Sequence, residues 1–140
     1  MKLEINTKNK VELINITKKV QDIIDKENVK NGFAHVYVQH TTAAVLINEN
    51  ESRLLEDIIE FFKDIAPSNK HYKHDDIEER DCPPNEPKNA PSHIKAMLFG
   101  PSQLIPIKDG KLQLGVWQSV MLAEFDGPRN RSIIISIIKQ

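Results

Sequence analysis

Cysteine is nearly missing from this chain. Cys82 is the only one in 140 residues, so no intrachain disulfide can form and no cysteine cluster is available for structural zinc. It lies in a proline-rich polar loop with no base beside it, so it is read as an incidental thiol rather than a nucleophile. Long apolar runs are missing as well. The greasiest stretches, "AAVLI" and "IIISII", fall far short of the roughly 20 residues a membrane-spanning helix needs. The opening "MKLEINTKNK" holds no continuous apolar segment of the kind a secretory signal requires. A cytoplasmic location with no membrane partner is therefore expected. Nor does charge of one sign dominate: 19 Lys plus Arg stand against 20 Asp plus Glu, and no basic block occurs. Binding driven by phosphate neutralisation along nucleic acid needs such a block, so nucleic acid is not an expected partner. No Walker-type glycine-rich loop is present either.

What remains is the composition of a soluble globular chain, 39% hydrophobic and 28% charged, of a length that builds one domain over residues 1–140. "KLEINTKNKVELINI" reads as two short strands around residues 7–10. Thr17 is placed to cap a helix carrying Val20, Ile23 and Ile24, ending near Asn31-Gly32. "FAHVYVQH" is a strand with Ala34, Val36, Val38 and His40 on one face, followed by a buried run, "AAVLIN". Leu54, Leu55, Ile58, Ile59, Phe62 and Ile65 recur at helical spacing over residues 51–65. Residues 67–92 form one long irregular segment rich in proline and charge, and Ser92 is placed to cap the short helix of "SHIKAMLFG". "QLIPIKDGKLQLG" is a hairpin turning at Asp109-Gly110, with Pro106 best placed on an edge or bulge. "VWQSVMLAEFD" and "SIIISIIK" supply the last strands. The expected fold is α+β, with a mixed or antiparallel sheet and two principal helices.

Chemistry-bearing residues collect in a few places. His40, at a strand end beside Thr41 and Thr42, is either a ring satisfied by the backbone or a group that binds metal or moves a proton. His74 lies in a charged loop and His93 near the start of an apolar helix. Convergence of His40, His74 and His93 would make a site for a divalent metal, with zinc the first guess, although no local zinc motif is present. Gln118, Val120, Leu122, Glu124 and Asp126 alternate onto one face of a strand, and the opposite face carries Trp117, Met121 and Phe125 for packing. In "EFDGPRNRS", Arg129 and Arg131 can fork onto carboxylate or phosphate. Structural pairing of those arginines with Glu124 or Asp126 is an equal alternative.

Taken together, "VQHTTAAVLINENE", "SHIKAMLFG", "IKDGKLQLGVWQSVMLAEFDGPRNR" and the final isoleucine strand resemble the YjbQ family, over essentially the whole chain and in order. Members of that family carry the name secondary thiamine-phosphate synthase. The resemblance implies a compact β-sandwich-like domain with mixed or antiparallel sheets and flanking helices, assembled as a homotrimer, and a reaction joining a pyrimidine diphosphate to a thiazole phosphate with release of pyrophosphate. The family pattern falls on His40, Thr41, Asn89, His74, His93, Gln118, Glu124, Asp126, Arg129 and Arg131. On this basis His40, Gln118, Glu124 and Asp126 are expected to be catalytic. Thr41, Asn89, Arg129 and Arg131 are expected to bind a phosphorylated small molecule or another anion. Two other functions fit the same residues: a metal-dependent hydrolase or phosphate-processing enzyme acting on a small metabolite, and a non-catalytic trimeric binding protein.

Overall fold

A computed structural model describes residues 1–139. Strands β1 (Lys2–Asn6) and β2 (Glu12–Asn15) precede helix α1 (Thr17–Lys26), which ends five residues before the expected Asn31-Gly32 stop. β3 (Gly32–Val38) and β4 (Ala43–Glu49) lead into helix α2 (Ser52–Ile65). The long loop holds two single-turn 3-10 helices, Lys73–Asp75 and Ile77–Glu79, before helix α3 (Ala90–Phe99). β5 (Ser102–Lys108), the two-residue β6 (Lys111–Leu112), β7 (Gln118–Glu124) and β8 (Asn130–Lys139) complete the chain. No helix among the described residues is long and apolar enough to cross a membrane.

The strands make two sheets, in the orders β1-β8-β3-β5-β6 and β2-β7-β4. Every pairing is antiparallel, so of the two expected arrangements the antiparallel one is realised. Period-two alternation turns Ala34, Val36 and Val38 of β3, Ile105 and Ile107 of β5, and Ile133 and Ile135 of β8 to one side. There they share a core with Val45, Val120 and Leu122 of the smaller sheet. Val20 and Ile24 of α1 enter the same core. The smaller sheet is buried on both faces. Its outer side packs Ala44, Ala123 and Phe125 against Phe62 of α2 and Ala96 and Phe99 of α3. Such double burial explains why "SVMLAE" reads as a nearly continuous apolar run rather than an alternating one.

Two helix starts differ from the sequence expectation. Ile16, not Thr17, occupies the cap of α1, and the Thr17 hydroxyl instead accepts the Val120 N–H at 2.8 Å, tying the helix to β7. α3 begins at Ala90, so Ser92 sits inside its first turn. The Ser92 hydroxyl donates to the Phe125 carbonyl at 2.6 Å, while Asp75 accepts the Ala90 N–H at 2.9 Å. Both hydroxyls serve tertiary contacts, which local spacing does not reveal. α2 follows the pattern closely: Glu51 caps it through the N–H groups of Arg53 and Leu54. The β5–β6 turn also follows, with Asp109 and Gly110 at φ 51° and 79°, the left-handed pair a two-residue hairpin needs. Trp117 differs most. It is 72% exposed rather than packed, because the chain leaves the sheet before β7 begins.

Candidate functional site

The inward rows of the two sheets end in charges. Glu124 follows Val120 and Leu122 on β7, and Arg131 precedes Ile133 and Ile135 on β8. Glu124 is 0% exposed and Arg131 is 3% exposed. The guanidinium grips the carboxylate through two nitrogens, with Nε to Oε2 at 2.6 Å and Nη2 to Oε1. Thr7 donates to Oε2 at 3.0 Å and the Asp126 backbone N–H to Oε1 at 2.7 Å. Arg131 Nη2 also donates to the Thr42 hydroxyl at 2.8 Å. Every lone pair direction of Glu124 is thus answered, which is what makes an ion pair tolerable at this depth.

Between β7 and β8 the chain reverses over residues 125–129, through a cis Gly127–Pro128 peptide. The β1–β2 loop presses on this turn: a Cβ at Gly127 would lie 2.1 Å from the Asn9 carbonyl oxygen. Asp126 is buried under it. Its carboxylate accepts from Lys10, from Asn89 Nδ2 at 2.9 Å and from Arg129 Nη2 at 2.6 Å. Burial pushes the Asp126 pKa up, but the hydrogen bonds from Lys10, Asn89 and Arg129 outweigh it and bring it down to about 2. Arg129 and Arg131 therefore take one acid each. β8 starts only at Asn130, so Arg129 folds back over the turn while Arg131 points into the core.

A groove of about 510 Å³ opens beside this cluster, lined by Tyr37, Val38, Gln39, His40, Thr41, Ala43, His93, Ala96, Met97 and Pro101. His40 lies just past β3, and its Nε2 accepts the Ser132 backbone N–H at 2.9 Å. The ring proton of a neutral imidazole must then sit on Nδ1, which makes no hydrogen bond among the described residues and is free to donate. Burial and the Arg131 guanidinium lower the His40 pKa. Burial and the neighbouring His74 lower that of His93. Both shifts favour the neutral ring. The His74 and His93 rings stand edge to face with centroids 4.8 Å apart.

The structure thus brings His40, Thr41 and His93 into one groove, with His74 against His93. Glu124, Asp126, Asn89, Arg129 and Arg131 form the adjoining cluster. Gln118 is not brought to either. It lies at the far end of β7, opposite Glu49, where its side chain accepts the Gly115 N–H at 2.8 Å and closes a turn. No group of three or more His, Cys, Asp or Glu among the described residues is arranged to hold a metal ion. His40 in this tautomer has no lone pair to offer one. Sequence reasoning missed Thr7 and Lys10, which lie more than a hundred residues from the acids they contact; nothing local marks them.

Fold and site together define a class: a small two-sheet α+β protein with a histidine-lined groove beside a buried network of paired acids and arginines. The family model described as "UPF0047 protein YjbQ-like" matches residues 1–140. The UPF0047 protein of Methanothermobacter thermautotrophicus is 42% identical over 135 residues, covering 96% of this chain and 88% of its own length. That of Archaeoglobus fulgidus is 41% identical over 138 residues, covering 99% of this chain and 100% of its own length. The crystal structure of hypothetical protein APE1520 from Aeropyrum pernix superposes with a TM-score of 0.90 at 33% identity, covering 100% of this chain and 98% of the other. The chain belongs to the UPF0047/YjbQ family.

Breaking the buried pair from one side should be costly. R131M leaves the Glu124 carboxylate uncompensated and is expected to lose about 3–5 kcal/mol in urea unfolding. E124M combined with R131M should recover part of that loss, and equal stability of the single and double variants would contradict the pairing. Asp126 sets an acid limit. Its folded pKa lies below its unfolded one, so its contribution, on the order of 2 kcal/mol, is complete above about pH 4 and is lost as pH falls towards 2. Acid titration followed by circular dichroism should show a smaller drop in that window for D126N, and an identical drop would refute the assignment.

Proposed function

We propose that the His40–His93 groove binds a phosphate-bearing small molecule and that the chain is a transferase of the thiamine-phosphate synthase type. The reading rests on one observation: the His40 imidazole, with an unused Nδ1–H, shares a groove with the His93 imidazole, within electrostatic reach of the partly exposed Arg129. Tyr37, Val38, Met97 and Pro101 offer apolar walls to a heterocycle. The Arg129 side chain is 44% exposed although it is paired with Asp126, so one edge of the guanidinium remains open to an anion.

In the proposed reaction the thiazole ring nitrogen attacks the methylene carbon of the pyrimidine diphosphate. The C–O bond to the diphosphate breaks and its electron pair leaves with pyrophosphate. His40 Nδ1–H, the Thr41 hydroxyl and Arg129 would stabilise the charge growing on that leaving group. His93 would donate a hydrogen bond from its ring N–H to the same leaving group. Glu124 and Asp126 would act as positioning residues that hold Arg131 and Arg129, not as general bases, because every oxygen of theirs is already engaged. A divalent ion, with zinc first, would draw its imidazole donors from His74 and His93 rather than from His40.

Incubation with hydroxymethylpyrimidine diphosphate and thiazole phosphate, followed by pyrophosphate release, tests the reaction. H40A, H93A and R129A are each expected to lower kcat/KM by roughly 10²-fold or more, with C82S close to wild type. Absence of pyrophosphate release from the wild-type chain would rule out the transfer.

We further propose that the working form is a homotrimer. The outer face of the five-stranded sheet carries Leu104 at 57% and Ile138 at 56% exposure, beside Tyr37, with no helix over it. A covering subunit would bury this face and reach the groove wall at Tyr37. Light scattering should give three times the 16.0 kDa chain mass, and L104E should lower it. A monomeric wild type at micromolar concentration would overturn the assembly.

A further inference from the structure

The turn that leads into β7 projects two apolar side chains from the fold. Val116 and Trp117 occupy its corners and are 93% and 72% exposed. One exposed apolar residue needs no explanation, but two adjacent ones on a braced turn make a knob. The bracing comes from Gln118. Its backbone N–H donates to the Gly115 carbonyl at 2.9 Å, and its side-chain oxygen accepts the Gly115 N–H at 2.8 Å. A single residue thus holds both backbone groups of Gly115. A Cβ at Gly115 would stand 3.3 Å from that side-chain oxygen, so the tie is close. The indole is presented on a fixed turn, and little ordering remains to be done when it meets a partner.

The His40–His93 groove has the complementary shape. Met97 on its α3 wall is 74% exposed and Tyr37 on its β3 wall is exposed as well, so its rim is apolar yet uncovered. Sites for small molecules enclose most of their ligand, which this rim does not do alone. The chain's own Trp117 cannot supply the cover. Ala43, at the groove, pairs with Glu124, whereas Glu49 pairs with Gln118. Groove and knob therefore lie at opposite ends of the β4–β7 pair, about 20 Å apart at roughly 3.3 Å per residue. A knob at one end and a recess at the other meet only between copies, in a head-to-tail contact of the kind that closes into a ring. Tyr37 also belongs to the exposed sheet face with Leu104 and Ile138, so a copy seated on that face already borders the groove.

We infer that the Val116–Trp117 turn of a second copy seats on the Tyr37–Met97 rim and closes the His40–His93 groove, so that two subunits build each site. The inference rests on the groove and homotrimer readings proposed above. It gives Gln118 a place at the site of the neighbouring chain, as a positioning residue acting through the turn it braces.

Trp117 is the only tryptophan in the chain, so its fluorescence reports this contact alone. In a C82S background, a nitroxide, which quenches tryptophan on contact, is attached at M97C in a chain that also carries W117F. An excess of that chain is refolded from urea with unlabelled chains that keep Trp117. Met97 and Trp117 are both exposed, so neither change disturbs the core. Emission should fall severalfold. With label and Trp117 in the same chain, diluted into unlabelled W117F chains, emission should stay unchanged, because the two ends are too far apart. Should the label at position 97 block assembly, Q39C beside His40 carries it instead. An oligomer by light scattering with no quenching between chains, or with quenching only within one chain, overturns the shared site and leaves the assembly standing. A monomer overturns both. Neither measurement involves turnover, so failure of the transferase reading leaves the result intact.

Discussion

The buried pair of Glu124 and Arg131 holds the two sheets in register with one another. Glu124 belongs to the central strand of the smaller sheet and Arg131 to a central strand of the larger, and each closes a row of inward-facing aliphatic residues. Thr7, at the end of β1, and Thr42, before β4, supply the remaining hydrogen bonds. Four separate parts of the chain thus meet on two charged side chains. A burial of this kind adds little stability over an apolar pair, but it penalises any slip of one sheet past the other, because a slip would strand a charge.

The groove inherits its geometry from that arrangement. His40 rests on the Ser132 N–H, one residue from Arg131, so the position of β8 decides which ring nitrogen carries the proton. On the other side, α3 is fastened to the turn after β7 by the Ser92–Phe125 and Asn89–Asp126 hydrogen bonds, and Asp75 binds the long loop to the helix start. His93 faces the groove because those three contacts fix the helix, and His74 reaches His93 because Asp75 is held. The long loop is therefore a strap with a structural anchor, and its irregular sequence reflects an absence of repeating hydrogen bonds, not of order.

The same residue types perform different tasks according to depth. Arg131 is enclosed and bonded on both carboxylate oxygens, so it can only hold. Arg129 is bonded through Asp126 yet partly open, so it can also meet a ligand. Gln118, two residues from Val120 on the same strand face, lies at the open end of the sheet and closes a turn. Spacing along a strand assigns a face; it does not say how far along that face the solvent begins.

Most of the fold was legible in the sequence, because hydrophobic period is set locally. The alternation in β3 and β8, the helical stripe of α2, the Asp109-Gly110 turn and even the shared face of Leu122 and Glu124 need only backbone geometry to be read. The approach of Thr7 and Lys10 to acids at the other end of the chain could not be read, nor could the diversion of Thr17 and Ser92 from capping to tertiary contacts. The exposure of Trp117 was equally hidden. Each of these depends on which surfaces come together when two sheets and three helices pack, and packing is decided by the sum of distant contacts. Amino-acid order determined the elements and their inward faces. Tertiary structure alone decided which charges would be paired, which imidazole would keep a free proton, and which aromatic side chain would be left uncovered.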